Sequence, residues 1–451
     1  MVKKIAGDAM RSEIKTYRWS DGNIQRAQTV SWEDWTALDF LSPTPTADAL
    51  DCFAHIYRNF LVPGAPWMFG NLVMFRLPET LPELPSETGK YGTLSDSLTA
   101  AAAALTEGVR IISGKPRFRT SQAKILWEAL EKENCLRIVS GKLPITTIIP
   151  VSNRAGYLSQ TAPEAAMKVN SAFFIMDRFD CATVYDHVGT PFGLAVKDGI
   201  VTRPPLYHRE AFLVRQNGSV SVDPLDVSML GIEIGGQVFK HGENAKIYSR
   251  PHYLRSPRKL SAVIVGNRVA AVGKGLPVPA SGFVLCPKTP CRIQPGDTVT
   301  YRGLEDVVFG IQVGNSILRN GVKTEAFLSK FYNIRRLEPV PFPPSLYPMD
   351  FDGARAARIA LGAGKDGKPM VLWAEGAAKF GHIPGKGSCG ASLKEMAEIC
   401  ADVGMVNAVN LDGGGSAQIL LKNQRSLQIS DRNPKDFSET ERPIPAALVL
   451  F

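Results

Sequence analysis

From about residue 145 onward the chain is a succession of short β-branched runs broken by Gly and Pro: ITTIIPVS, GLAVKDGIV, AFLVRQNGSVSV, KLSAVIVGNRVAAVG and DVVFGIQVGNSILRNGV. Branched side chains fit a pleated, half-buried surface, and the intervening residues set turns, so this part predicts many short strands. Asn217-Gly218, Asn320-Gly321 and Asp198-Gly199 each sit between apolar runs, where a two-residue hairpin turn needs left-handed backbone. The 40 Gly and 32 Pro follow no three-residue period, which excludes a collagen-like chain. With 44% hydrophobic and 21% charged residues the composition is that of a globular protein, and 451 residues predict more than one compact lobe.

The first 145 residues read differently. Residues 46–62, 95–109 and 121–134 carry apolar residues at helical spacing behind Ser or Thr caps, with the proline-rich LPETLPELPSE as a surface connector between the first two. Near the C-terminus, 356–361 and 369–374 predict strands, 391–403 an amphipathic helix and 408–411 a short strand ending in glycines. The expected fold class is therefore α+β: a mixed β-sheet domain over 146–451 with a C-terminal βαβ-like element, preceded by a mainly helical N-terminal lobe over 1–145.

The net charge of +9 suits anionic partners, yet the basic clusters at 115–124 and 250–259 lack the aromatic interleaving of a nucleic-acid module and read as solvated faces. Nucleic acid is thus open as a partner but unsupported. Seven cysteines without a C-x-x-C or a zinc-spaced Cys/His set predict reduced thiols and no structural metal centre. No segment has the apolar length of a membrane span, and the N-terminus lacks a signal-peptide core, so the expectation is a cytoplasmic protein.

The stretch that points to chemistry is NAVNLDGGGSAQILL. An apolar strand delivers Asp412 at its end, and Gly413, Gly414 and Gly415 follow before Ser416. Three glycines in a row are costly in chain entropy and make sense where backbone takes positive φ or lies against a ligand. Their amides form a nest suited to phosphate or carboxylate. The competing reading is a tight hairpin whose Asp bonds the amides of its own turn.

From residue 165 to 451 the chain resembles the phosphodiester glycosidase family in several ordered segments. KVNSAFF at 168–174 is similar to the family's Asn-Gly-Gly-Phe-Phe segment, with Ser171 and Ala172 in place of its glycines. PFGLAVKDG, VPASGFVL, GNSILRNG and RIALG follow, then the Gly-x-x-Leu-x-Glu helix at Gly390, the Asn410–Ser416 turn and the closing Glu441-Arg442-Pro443. The resemblance implies hydrolysis of a glycosyl-1-phosphodiester, with Asp412 as catalytic base or nucleophile and Glu375 second in line. It implies that Gly413, Gly414, Gly415, Ser416 and Arg358 hold the phosphate, that Asn170 and Asn410 orient the sugar or the carboxylate, and that Arg442 completes the site. Where the family has an Asp-Gly-Arg, this chain has Glu375-Gly376-Ala377, so Lys379, His382 and Lys386 stand in for the missing charge.

Bland alternatives accompany each assignment: Asn170 as a turn cap, Arg358 paired with Glu375 or Asp352, Arg442 pinning the last strand. No cofactor is called for, and a divalent cation stays open. The partner implied is an anionic sugar phosphate or glycosyl phosphodiester. Two rival classes are a non-catalytic glycan- or nucleotide-binding protein, including a phage-associated structural one, and an enzyme cleaving or transferring another glycosidic linkage.

Overall fold

The computed structural model describes residues 10–43, 48–56, 70–78, 94–141, 143–151, 155–175, 188–191, 193–205, 210–249, 256–276, 278–279, 282–324, 354–378, 386–433 and 435–451. Its centre is a seven-stranded sheet in the order Arg11–Arg18, Ile24–Ser31, Pro369–Ala374, Arg358–Gly364, Met405–Asn410, Ser316–Arg319 and Val322–Lys323. Every neighbouring pair in it is antiparallel.

Period-two alternation gives this sheet two apolar faces. Ile359, Leu361, Val371, Trp373 and Val409 point to one side. There they meet Leu38, Val169, Ile419 and Leu448 of a four-stranded sheet and Phe212 and Phe309 of a five-stranded one. Ala360, Leu372, Ala374 and Ala408 point to the other side, where Met396, Ile399 and Cys400 of the helix Leu393–Asp402 cover them. That helix starts at Ser392, whose hydroxyl accepts from the Glu395 amide while the Glu395 carboxylate accepts from the Ser392 amide. Such a reciprocal cap contributes about 1 kcal/mol.

Pro369–Ala374 and Met405–Asn410 both run antiparallel to Arg358–Gly364, which lies between them. They are therefore parallel to each other, and the helix Leu393–Asp402 makes the crossover. The crossover passes over one strand and leads into Met405–Asn410, whose far end carries the glycine turn, so the helix on one face helps fix where Asp412 emerges.

The expected α+β class is overturned: the described chain is mostly β-strand, with few helices. The sheet at the centre is antiparallel, not mixed, and the N-terminal region is not a helical lobe. Helices do form at Ala49–Ile56, Leu94–Gly108 and Ser121–Lys132, the last capped by Thr120. Strands intervene throughout. Gly70–Phe75 pairs with Leu136–Val139 and Leu143–Pro150, and Val109–Ile112 pairs with Lys115–Phe118. The first hairpin supplies two strands of the seven-stranded sheet, with Ala27 opposite Ala374, and Leu38–Leu41 pairs with the C-terminal Ala447–Leu450.

The reason is physical. Arg11–Arg18 is an edge strand, mostly exposed, so RSEIKTYR shows no apolar alternation. Ile24–Ser31 buries Gln25 and Gln28 beside Ala27 and Val30, and Gln25 Nε2 is satisfied by the carbonyls of Arg26 and Glu375. Pairing with a distant strand, not local pattern, makes both of them strands. The proline-rich connector lies largely outside the described residues.

The three turn dipeptides are hairpins as expected. Asp198-Gly199 and Asn320-Gly321 take positive φ at both positions, 50° and 73°, then 50° and 78°, and Gly218 takes 80°.

Candidate active site

Met405–Asn410 ends at a turn that three neighbours hold. Leu411 donates to Ile359 O at 2.8 Å, Asp412 donates to Ser171 O at 2.9 Å, and Gly414 donates to Ala357 O at 2.8 Å. Asn170, buried at the end of Met167–Asn170, clamps the turn from below: its Nδ2 donates to Asp412 O at 2.6 Å and its Oδ1 accepts from Gln418 N at 3.0 Å. The Asn170 amide is thereby committed to backbone on both sides of the turn and acts on Asp412 by positioning it.

Each glycine answers a different demand. Gly414 has φ of +59° with open space around it, a conformation L side chains rarely adopt. A Cβ on Gly413 would lie 2.6 Å from Ala357 O. A Cβ on Gly415 would fall closer than 3.0 Å to both carboxylate oxygens of Asp431 and to Arg442 Nη2. Those two groups form a buried ion pair, with Arg442 Nε 2.9 Å from Asp431 Oδ2. Arg442 thus meets a carboxylate and lies under the turn, holding it up.

Asp412 itself is half-buried, not sealed beneath aliphatic side chains. Its Oδ1 accepts from the Gly413 amide at 2.9 Å. The nest is therefore smaller than its glycines suggest. Gly413 serves Asp412 and Gly414 serves Ala357, so of the three amides only that of Gly415 makes no hydrogen bond among the described residues. Beside it are buried hydroxyls, of Ser171 and Ser416, that have no hydrogen-bond partner among the described residues. A third, that of Ser430, sits against Ala357 and Gly376. Buried hydroxyls without a partner among the described residues, on the segments that form and hold one turn, are uncommon in a packed interior and mark a polar site.

Glu375 is fully buried and saturated. Arg26 grips it with Nε at 2.7 Å and Nη2 at 2.5 Å, the Ser388 hydroxyl donates to it, and Gln428 N donates at 2.9 Å. A carboxylate so occupied has no lone pair to offer a substrate, and its role is structural. Arg358 does not pair with it. Its Nε and Nη2 donate to the carbonyls of Ala391 and Ala354 at 3.1 and 2.9 Å, tying the start of its strand to the helix cap. Asn410 is fully buried in the sheet, exchanging backbone bonds with Gly314 and Asn315. Lys386 is exposed near Ser388, while Lys379, His382 and Asp352 lie outside the described residues.

Sequence reasoning missed two supports, Arg26 and Asp431, and the orphaned hydroxyl of Ser430. Neither support has a local signal, because each meets its partner only through the fold. It also missed Arg203, whose Nε donates to Gly193 O at 3.0 Å and whose buried Nη2 has no acceptor among the described residues. Burial alone holds that guanidinium down to about 10. Among the described residues no cluster of three His, Cys, Asp or Glu has metal-binding geometry.

A carboxylate at a strand end, backed by one unspent amide and two spare hydroxyls, suits a polar, anionic ligand. Residues 261–451 match the phosphodiester glycosidase family. The turn, Arg358, Glu375, Asp431 and Arg442 fall inside the match, whereas KVNSAFF and PFGLAVKDG precede it.

Solved structures similar to this chain include a hypothetical protein from Synechocystis, with a TM-score of 0.46 and 15% identity over 98% of this chain and 62% of that one. This chain thus spans less than two thirds of that protein. Another is the catalytic domain of zebrafish N-acetylglucosamine-1-phosphodiester alpha-N-acetylglucosaminidase, auto-inhibited by its pro-peptide, with a TM-score of 0.42 and 12% identity over 98% and 82%. No curated protein matches the sequence. No described helix is long and apolar enough to cross a membrane.

Proposed function

We propose that the protein hydrolyses a glycosyl-1-phosphodiester, releasing the sugar and a phosphomonoester, with Asp412 as the catalytic carboxylate. The observation that carries this reading is the position of Asp412: it is half-buried at the strand end, on the glycine turn that also carries the Ser416 hydroxyl and is held by the Ser171 carbonyl. Glu375 and Asp431 lie in ion pairs that support the fold.

Asp412 takes a proton from the attacking water as oxygen bonds to the anomeric carbon. The carbon–oxygen bond to phosphate breaks, and its electron pair leaves with the phosphomonoester. A leaving group whose second pKa is about 6 departs as an anion without strong acid assistance, so one carboxylate suffices where most glycosidases need two. The Gly415 amide and the Ser416 hydroxyl stabilise the charge that develops on phosphate. Direct attack by Asp412, through a glycosyl-enzyme, uses the same residues and differs in the stereochemistry of the released sugar.

The test is Asp412→Asn, which keeps volume and the acceptor for Gly413. Turnover of N-acetylglucosamine-1-phosphodiesters should fall roughly 10²- to 10⁴-fold, with an unchanged melting temperature. Wild-type turnover in that variant refutes the assignment. Tight binding of the diester by wild type without product shows instead a binding protein that retains the site.

A further inference from the structure

Residues 231–305 form a module in which the chain's charge is concentrated. Gly231–Ile234, Gln237–Phe239 and Val299–Arg302 make a three-stranded sheet, and Ala245–Tyr248, Phe283–Pro287, Leu260–Val265 and Arg268–Lys274 make a four-stranded one. Ile232, Phe283 and Tyr301 join the core that Val196 and Leu213 bring from the five-stranded sheet, so the module is anchored to the rest of the protein. It holds eleven Lys and Arg against four Asp and Glu, so seven of the chain's nine net positive charges fall in one sixth of its length. Three of its acids already have partners: Glu233 and Glu305 meet Arg302, and Glu243 meets Lys240.

On this module lies a cleft of about 210 Å³. Half-buried Val272, Pro287 and Ile293 give it apolar walls, Cys291 lines it, and exposed Lys259 and Lys288 flank it. Among the described residues no acidic side chain lines the cleft, and none of its lining residues belongs to the glycine turn. It is smaller than the roughly 300–1,000 Å³ of ordinary small-molecule pockets. It can seat one sugar- or glycerol-sized unit, leaving the remainder of a longer ligand to run over the basic surface.

We propose that this module binds a phosphate-bearing glycan chain, with one unit of the chain seated in the cleft between Lys259 and Lys288. The coupling of this binding to catalysis rests on the glycosidase reading above; the binding itself does not. The two lysines supply charge for phosphates, and the apolar walls suit the carbon face of a saccharide. Single-stranded nucleic acid fits less well. It needs exposed aromatic platforms for base stacking, and the exposed large apolar residues described in the module are Leu260 and Val265. Tyr248 is half-buried with Lys246 Nζ 5.2 Å from its ring centre.

The experiment compares phosphorylated dextran, unmodified dextran and single-stranded DNA as ligands of the full chain, over a range of salt. Phosphorylated dextran should bind, weaken steeply with salt and slow the maleimide labelling of Cys291; plain dextran should do neither. The exposed double variant Lys259→Glu/Lys288→Glu should lose at least about tenfold in affinity, and its salt slope should fall by roughly 1.5 to 2, the value for two lost phosphate contacts. Unchanged affinity and slope in the variant overturn the proposal. So does DNA binding that equals phosphorylated dextran and is lost through the same substitutions.

A small glycosyl phosphodiester assayed in parallel separates the two readings. Its hydrolysis should be the same in wild type and double variant. If neither hydrolyses it while phosphodextran binding still falls in the variant, the glycosidase reading fails and the module stands. If both hydrolyse it and phosphodextran binding ignores the substitutions, the module fails alone.

Discussion

Replacing Gly415 by Ala adds one methyl group where the protein has no room for it. The backbone raises no objection, because Gly415 is not among the glycines with positive φ. The obstacle is the Asp431–Arg442 pair, both of whose ends would lie within 3.0 Å of the new carbon. Asp431 is 3% and Arg442 9% exposed, so neither can swing into water. If the pair parts, the cost is that of a broken buried ion pair, about 3–5 kcal/mol; if it shifts intact, overpacking costs about 1–3 kcal/mol. A loss of about 3 kcal/mol is expected, read from urea midpoints at constant slope. Gly414→Ala is the companion, since its Cβ meets nothing within 4 Å and its φ of +59° adds only left-handed strain, about 1–2 kcal/mol. Should Gly415→Ala cost no more than Gly414→Ala, the ion pair is not what keeps residue 415 bare, and the account of Arg442 as the prop under the turn is wrong.

Glu375→Gln should destabilise by about 2–3 kcal/mol, less than for a fully buried pair because the Arg26 side chain is 42% exposed. The kcat of the folded fraction should stay at the wild-type value, whereas a catalytic role would lower it. Arg355 holds Asp21 and Glu395 together, joining the first hairpin to the helix cap. Hydrogen bonds from Asn23 and then Arg355 bring Asp21 down to about 2. Burial pushes Glu395 up, yet the bonds from Arg355 and Ser392 prevail and leave it lowered. Both native carboxylates titrate below their unfolded values of about 4, so their contribution is complete above that pH and fades as pH falls toward 2. Arg355→Met should flatten that part of the urea-midpoint profile.

His241 is lowered by burial first and then by Lys246 and Lys288, and its Nδ1 accepts from Ile247 N at 3.0 Å. The unfolded chain therefore takes up the proton first, and stability should drop as pH falls through about 6.5. His241→Gln should remove that drop, and its persistence in the variant would assign it elsewhere.

What could be read from the sequence was whatever local chemistry dictates. Asn-Gly and Asp-Gly demand left-handed backbone, and Thr120 and Ser392 announce helices by their hydroxyls. Three glycines after an apolar strand announce a close approach. What could not be read depends on partners far along the chain. Arg26 and Glu375 meet across 349 positions, and nothing near either one signals the other. Arg11–Arg18 is too polar to look like a strand, yet it completes a sheet edge. The charge of residues 231–305 can be counted along the chain, but only the fold joins those strands into one body with a cleft between Lys259 and Lys288.

The first hairpin and the last strand have a consequence for biosynthesis. Ile24–Ser31 leaves the ribosome long before its neighbour Pro369–Ala374, and Leu38–Leu41 waits longer still for Ala447–Leu450. At ordinary translation speeds the wait is on the order of 20–70 s, during which an unmatched ribbon must be kept from other nascent chains. The protein closes like a belt, buckle threaded last, and a holding chaperone should bind the nascent chain until residue 450 emerges.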